Sequence, residues 1–409
     1  MSAVAYLTDV EGLWAKIEDF TRDNPLVQLT PSGLTLAPGA TFVFGGDAID
    51  RGPWSRRVVS ALLSAKRRYG DRVVLLAGNR DINKMRLARE LSGFPPARAP
   101  REVVEQGRAP LLKWIFENTM GAKRAFEMRR AELSSEGFGA AIDDEEVVRS
   151  FADDVAPGGQ LAEYLAACQL AHRHEATLFV HGAVTGESLG AVPGSDHRID
   201  DMGDWIEALN AFYRSQVTAY FDRRLLDSGT PAWAPLVAYQ APVPGTRLHQ
   251  ASVVYGRPAD ELGNPMLPSR AVVEELARAG VHRVVVGHTP SGDTPSVLCD
   301  DGFQLVIADS SYGRVEGGSQ LAIDGERVTI AARAVLDDGR EQAVRFETNG
   351  FAPTGPVGLR DAPSGRLLKG ALPSGDYLAF RFLEGFVMEQ LALSEERCAE
   401  LALVVPRPG

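Results

Sequence analysis

Short apolar runs recur along the first three quarters of the chain, and several of them stop at the same kind of residue. Residues 3–7, 41–44, 73–77, 177–180 and 284–286 are each apolar and rich in Val, Phe and Ala, with Gly or Asp close behind. Runs of that length bounded by turn residues predict buried strands. Between the first three, the period changes. Leu13, Ile17 and Phe20 recur at helical spacing, and Val58, Val59, Leu62 and Leu63 share one helix face. Ser55 is placed to cap the second helix, and Gly70 to end it. Strand, helix and strand in quick succession predict right-handed crossovers in a largely parallel sheet.

The pattern then turns helical for about a hundred residues. Stretches 111–120, 123–133, 145–155 and 160–172 read as helices, broken at Pro95-Pro96, Pro110 and Pro157-Gly158-Gly159. This predicts a helical insertion over about 82–176. A second insertion, about 186–280, carries an amphipathic helix with Trp205, Leu209, Phe212, Val217 and Tyr220. After it come a Pro-rich stretch at 231–268 and a helix with Val272, Val273 and Leu276 closed by Gly280. Beyond residue 288, alternating pieces at 303–308, 319–323 and 327–332 predict antiparallel strands completing a second sheet. A main domain is expected over 1–335. Residues 336–409, with strand pieces at 342–347 and 377–382 and a short helix at 394–401, are expected to form a small mixed α/β extension with a packing role.

The residues just past each strand end turn the picture from architecture to chemistry. The blocks are Asp9-Val-Glu11, Gly46-Asp47-Ala-Ile-Asp50-Arg51-Gly52, Gly78-Asn79-Arg80-Asp81, Val180-His181-Gly182 and Gly287-His288-Thr289-Pro290. Carboxylates, an amide and imidazoles at the carboxyl ends of parallel strands suit a ligand-binding crevice. They are also the donors that a two-metal hydrolytic site needs.

In that order the blocks resemble the calcineurin-like metallophosphoesterases, within them the phosphoprotein-phosphatase type. The resemblance spans roughly residues 3–335. It implies an α/β fold: a β-sandwich flanked by helices, here with the large helical insertion. It implies a metal-dependent phosphoesterase acting on a phosphomonoester or phosphoanhydride through metal-activated water. Two divalent ions are expected, with Mn²⁺ first and Mg²⁺, Fe or Zn²⁺ as alternatives. Asp9, Glu11 and Asp47 would hold the first ion; Asp47, bridging, with Asn79, His181 and His288 would hold the second.

The chain departs from the family pattern twice. Glu11 stands where the family has a metal-binding His, making that ion's donors all oxygen if Glu11 ligates. Arg80 stands where the family has the His usually cast as general acid. A guanidinium keeps its protons, so Arg80 is expected to hold phosphate oxygens beside Arg51; pairing with Asp50 or Asp81 is the alternative. Asp50 would normally orient the missing His, and its partner is left open. Arg257 is a candidate third phosphate ligand by position, against a plain surface arginine. His172, His174, His197, His249 and His282 match no block.

Composition narrows the rest. A net charge of −11 argues against a general nucleic-acid binder without excluding a local basic pocket. Three separated cysteines without C-x-x-C spacing read as buried thiols in a reducing compartment. No apolar run approaches a membrane span, and residues 3–7 lead straight into the first motif, so a cytoplasmic protein is expected. The expected substrate is a phosphorylated small molecule or a phosphoprotein. Other chemistry at the same metal site and a catalytically weak metal-binding scaffold are the competing readings.

Overall fold

The apolar runs become neighbouring strands. The computed structural model describes residues 3–408 except 138, 140, 223–228, 301, 353 and 354, so those parts of the two expected insertions lie outside the described residues. Strand Val4–Leu7 runs parallel to Thr41–Phe44, which runs parallel to Val73–Leu75. Helix Trp14–Thr21 buries Trp14, Ile17 and Phe20, and helix Ser55–Tyr69 buries Val58, Val59, Leu62 and Leu63, as their spacing predicts. Gly70 follows the second helix with φ of 58°, a conformation that favours glycine.

The start of that second helix differs from expectation. Ser55 does not cap it; its hydroxyl accepts the Asp50 N–H at 3.3 Å. Glu132, on helix Ala125–Glu136 of the first insertion, caps it instead by accepting the N–H groups of Arg56 at 2.8 Å and Arg57 at 3.1 Å. Free N–H groups at a helix start favour an acceptor, and a carboxylate most of all. A cap supplied from so far along the chain leaves no local sequence signal.

The second sheet has the order Ala171–His174, Thr177–Val180, Arg283–Val286, Phe303–Ile307, Ser296–Asp300. It corrects two expectations. Phe303–Ile307 is parallel to Arg283–Val286 and antiparallel only to Ser296–Asp300. The helix expected over 160–172 ends at Ala167, and Ala171–His174 forms a hairpin with Thr177–Val180. Short apolar stretches do not distinguish a helix end from a strand.

A third correction concerns Gln320–Asp324 and Arg327–Val335. They join the first sheet rather than the second, the former antiparallel to Val4–Leu7. Arg327–Val335 then pairs with Glu341–Thr348, with Val335 opposite Glu341, and the sheet continues through Leu367–Ala371, Tyr377–Phe382 and Met388–Leu393. The ladder therefore runs across the expected boundary at residue 335.

Alternation along the strands explains the layers. Val4, Tyr6, Val43 and Val74 of the first sheet share a buried cluster with Phe179, Val285, Val297 and Val306 of the second. The Tyr6 and Phe179 rings stack there at 5.7 Å. Ala5, Leu7, Phe42 and Phe44 point the other way and pack against helices. Both faces are buried, which is why these strands read as continuous apolar runs. The result is the expected α/β sandwich flanked by helices. Among the described residues, no helix is long and apolar enough to cross a membrane.

The C-terminal strands reach back to the loop after His288. Lys369 donates to the carbonyls of Ser291 and Thr294, and Gln390 Nε2 donates to Asp293 at 2.6 Å. Burial pushes the Lys369 ammonium down to about 7, with Asp293 opposing.

Two outcomes are expected. Glu132→Ala strips two helix-start N–H groups of their acceptor and should lower stability by about 1–3 kcal/mol in urea unfolding. An unchanged midpoint would mean that water caps the helix equally well. Lys369 binds its proton less tightly folded than unfolded, where it titrates near 10.5. Its contribution to stability is then fully present above that value and lost as pH falls towards 7. Lys369→Met should flatten the rise of stability with pH across that window. A slope matching the parent's would show that other groups cause it.

Candidate metal and phosphate site

The two sets of parallel strands deliver the motif residues to one place. Asp9 follows Val4–Leu7, Asp47 follows Thr41–Phe44, and Asn79 opens the short helix Asn79–Asn83 after Val73–Leu75. His181 and His288 follow Thr177–Val180 and Arg283–Val286 in the other sheet. Five residues of the motif blocks have left-handed backbones: φ is 50° at Asp9, 52° at Glu11, 57° at Asp47, 108° at Asp50 and 58° at His288. Such conformations cost energy outside glycine and persist only where surrounding bonds enforce them.

The enforcing bonds are visible. Asp9 N–H donates to Gly46 O at 2.9 Å, and Glu11 N–H to Asp47 O at 2.9 Å, tying the first two strand ends together. Asp81, the last residue of its block, accepts from Asp47 N–H at 2.9 Å, Ala48 N–H at 3.0 Å and Gly78 N–H at 3.0 Å. Burial, then the Asp47 carboxylate, pushes Asp81 up to about 7, against those three N–H groups. The motif glycines make room. A Cβ on Gly78 would collide with the Asp47 carboxylate, and one on Gly287 with that of Asp9.

One set of donors faces inward. Single atoms of Asp9, Asp47 and His181 lie within 4.8 Å of one another. His181 Nδ1 lies 2.7 Å from the Gly45 carbonyl, so it carries the proton and leaves the Nε2 lone pair pointing into the site. That Nε2 is 3.4 Å from Asp47 Oδ1 and 3.2 Å from Asn79 Oδ1. The His288 ring lies 5.4 Å from that of His181, and its buried Nε2 has no hydrogen-bond partner among the described residues. Burial, then Arg257, His181 and Arg80, holds His288 well below the ordinary imidazole range, so its ring is neutral. Burial, then Asp309, Asp47 and Glu11, pushes the Asp9 carboxyl well up. A buried carboxylate crowded by others, beside two imidazoles, fits a divalent cation.

The other motif residues meet different partners. Glu11 Oε1 lies 2.7 Å from Arg80 Nε, and Glu11 Oε2 lies 3.1 Å from Arg51 Nη1. Burial raises the Glu11 pKa, while Arg80, Arg51 and Lys16 oppose the rise. Arg80 also approaches Asp47 at 3.5 Å and Asp50 at 3.9 Å, and its Nη1 is buried without a hydrogen-bond partner. Asp50, whose partner the sequence left open, pairs chiefly with Lys84 at 2.5 Å. Lys84 is fully buried; desolvation lowers its pKa and Asp50 opposes the change. Arg51 lies over the Tyr312 ring at 4.0 Å.

These groups open onto a cleft of about 470 Å³. Arg80 and Arg257 line it with Asp9, Glu11, Asp47, Asn79 and His288, whereas His181 lies just beneath. Asn83, Arg86 and Thr119 of the first insertion and Gln240, Tyr255 and Arg257 of the second form its walls. None of the five unmatched histidines lines it. Sequence reasoning missed Asp309 and Lys84, and named Asp81 as an alternative partner of Arg80 rather than as the acceptor that holds the Asp47 turn. Asp309 follows strand Phe303–Ile307 as Asp47 follows its own strand, so the same signal was present there. Lys84 carries no motif signal.

Residues 4–132 match the family described as calcineurin-like phosphoesterase. The match covers about a third of the chain, and over it the chain is similar to that family. The similarity supports a phosphatase-like hydrolase; that family uses divalent metals, and Asp9, Asp47 and His181 could hold one. Solved structures similar to it include a cold-active protein-tyrosine phosphatase of the psychrophile Shewanella sp. The two are 16% identical over 84% of this chain and 80% of that one, with a TM-score of 0.44. A protein serine/threonine phosphatase from Saccharomyces cerevisiae is 14% identical over 86% and 80%, with a TM-score of 0.37. A metallophosphoesterase from Sphaerobacter thermophilus is 10% identical over 85% and 89%, with a TM-score of 0.30.

Gly78→Ala should disrupt the phosphoesterase site while sparing its core. The added methyl displaces the Asp47 carboxylate, and Mn²⁺ binding measured by calorimetry should weaken at least about tenfold. Parent-like affinity would mean that Asp47 is not a donor.

Proposed function

We propose that the protein hydrolyses phosphomonoesters or phosphoanhydrides at this cleft, using a divalent ion held by Asp9, Asp47 and His181 with Asn79 and His288 beside them. One observation carries the reading. The partnerless Nε2 of His288 sits among buried carboxylates and a second imidazole, in a cleft that arginines border. Mixed oxygen and nitrogen donors suit Mn²⁺, with Fe and Zn²⁺ as alternatives. The bound ion supplies charge for the phosphoryl oxygens and acidifies water.

The side chains divide the remaining work. Arg80 and Arg257 face the cleft and offer charge-assisted hydrogen bonds to phosphate oxygens, with Arg51 beside Glu11. His288 stays neutral, so its lone pair remains available. Arg80 stays protonated, because Glu11, Asp47 and Asp50 outweigh the desolvation that opposes its charge. It therefore orients phosphate and does not pass a proton to the departing oxygen. Leaving groups that are stable as anions are favoured. The cleft volume falls within the roughly 300–1,000 Å³ of small-molecule sites, which supports a phosphorylated small molecule ahead of a phosphoprotein.

The test is phosphate release by protein stripped with chelator and then supplied with Mn²⁺. Aryl phosphate turnover should return with the metal and exceed alkyl phosphate turnover by at least about 100-fold. Asp47→Asn should bind metal poorly and stay inactive while melting like the parent. Equal aryl and alkyl rates would show that another group supplies the proton. Metal binding without any phosphate release would favour different chemistry at the same site.

A further inference from the structure

We infer that the site takes a single divalent ion, and that the Arg80 guanidinium stands where a second would otherwise lie. This rests on the metal-dependent reading above and deepens it. Two ions would require Asp9, Glu11 and Asp47 to serve one of them, with Asp47 bridging. Glu11 is not free to do so: one oxygen faces Arg80 Nε at 2.7 Å and the other Arg51 Nη1 at 3.1 Å. The same Arg80 Nε lies 3.5 Å from Asp47 Oδ2. The guanidinium thus occupies the gap between the two carboxylates that a first ion would need.

Asp47 then bridges two cations of different kinds. Its Oδ2 faces the guanidinium; its Oδ1 accepts the Arg80 backbone N–H at 2.9 Å and lies 3.4 Å from His181 Nε2, on the side where the Asp9 carboxylate has no cationic side-chain partner among the described residues. The Arg80 side chain is only 12% exposed and cannot shed its charge. A divalent ion in the same gap would meet a permanent positive charge at contact distance, with little water to screen it. An ion on the His181 side avoids that contact.

The two departures from the family pattern are in direct contact. Glu11 and Arg80 each replace a histidine, and they pair with each other. A glutamate alone there would add an uncompensated buried carboxylate, and an arginine alone an uncompensated buried cation; either would be costly. Together they compensate each other as a buried ion pair beside the cleft. Arg80 Nη1 lies 3.9 Å from Asp50 Oδ2 and makes no hydrogen bond among the described residues.

The experiment counts ions on the full chain, using Mn²⁺ as the probe. Elemental analysis after equilibrium dialysis should find one Mn²⁺ per chain, with the electron-paramagnetic-resonance signal of an isolated ion. Arg80→Met removes the charge, keeps Glu11 and the bulk, and should raise the count to two with an exchange-coupled signal. Two coupled ions in the parent would overturn the inference and leave the metal-dependent reading intact. A folded Arg80→Met protein that still takes one ion would also overturn it, because the guanidinium would not be what excludes the second. No bound ion in the parent would remove the reading on which it rests. If Arg80→Met does not fold, the parent count still decides between one and two.

Discussion

Crowding of buried negative charge is the constraint on which the rest of the structure depends. Asp9, Glu11, Asp47, Asp50, Asp81 and Asp309 are each no more than 4% exposed, and all lie at or beside the strand ends. Burying one carboxylate is costly; burying several together is prohibitive without compensation. The chain supplies it in three ways. Asp81 takes backbone N–H groups, Asp50 takes Lys84, and Glu11 takes two arginines. The carboxylates of Asp9 and Asp309 have no cationic side-chain partner among the described residues and that of Asp47 has only Arg80 at 3.5 Å; of these, Asp9 and Asp47 flank His181. Those two and His181 are the group that could hold a cation.

That arrangement requires strained backbone, and the surrounding elements hold it. The left-handed turns at Asp9, Glu11 and Asp47 are tied to one another by hydrogen bonds between their loops, and Asp81 anchors the Asp47 turn from a third. The loop of His288 is pinned from behind by Lys369 and Gln390 on C-terminal strands. The helical insertion adds Glu132 as a cap on a helix that supports the first sheet. Segments outside the motif blocks therefore act on the site through backbone geometry.

Much of this was legible in the residues themselves. The strands and the principal helix faces followed from apolar spacing, and the five motif blocks located the cleft through their order. Gly46, Gly78 and Gly287 stand in those blocks because neighbouring chains approach too closely for a Cβ. Local steric and hydrophobic rules act over a few residues, and a sequence displays them directly.

Pairing between distant segments was decided elsewhere. Residues 320–335 could have closed either sheet, and the register against Val4–Leu7 placed them in the first. Phe303–Ile307 alternates no differently for a parallel neighbour than for an antiparallel one. Arg80 could have met Asp50, Asp81 or a phosphate; in the folded protein its closest partner is Glu11. Taken alone, the sequence determined which residues carry charge, which strands are buried and where the turns fall. Only the tertiary structure decided which cation neutralises which carboxylate, because that depends on distances between chain segments that no local pattern encodes.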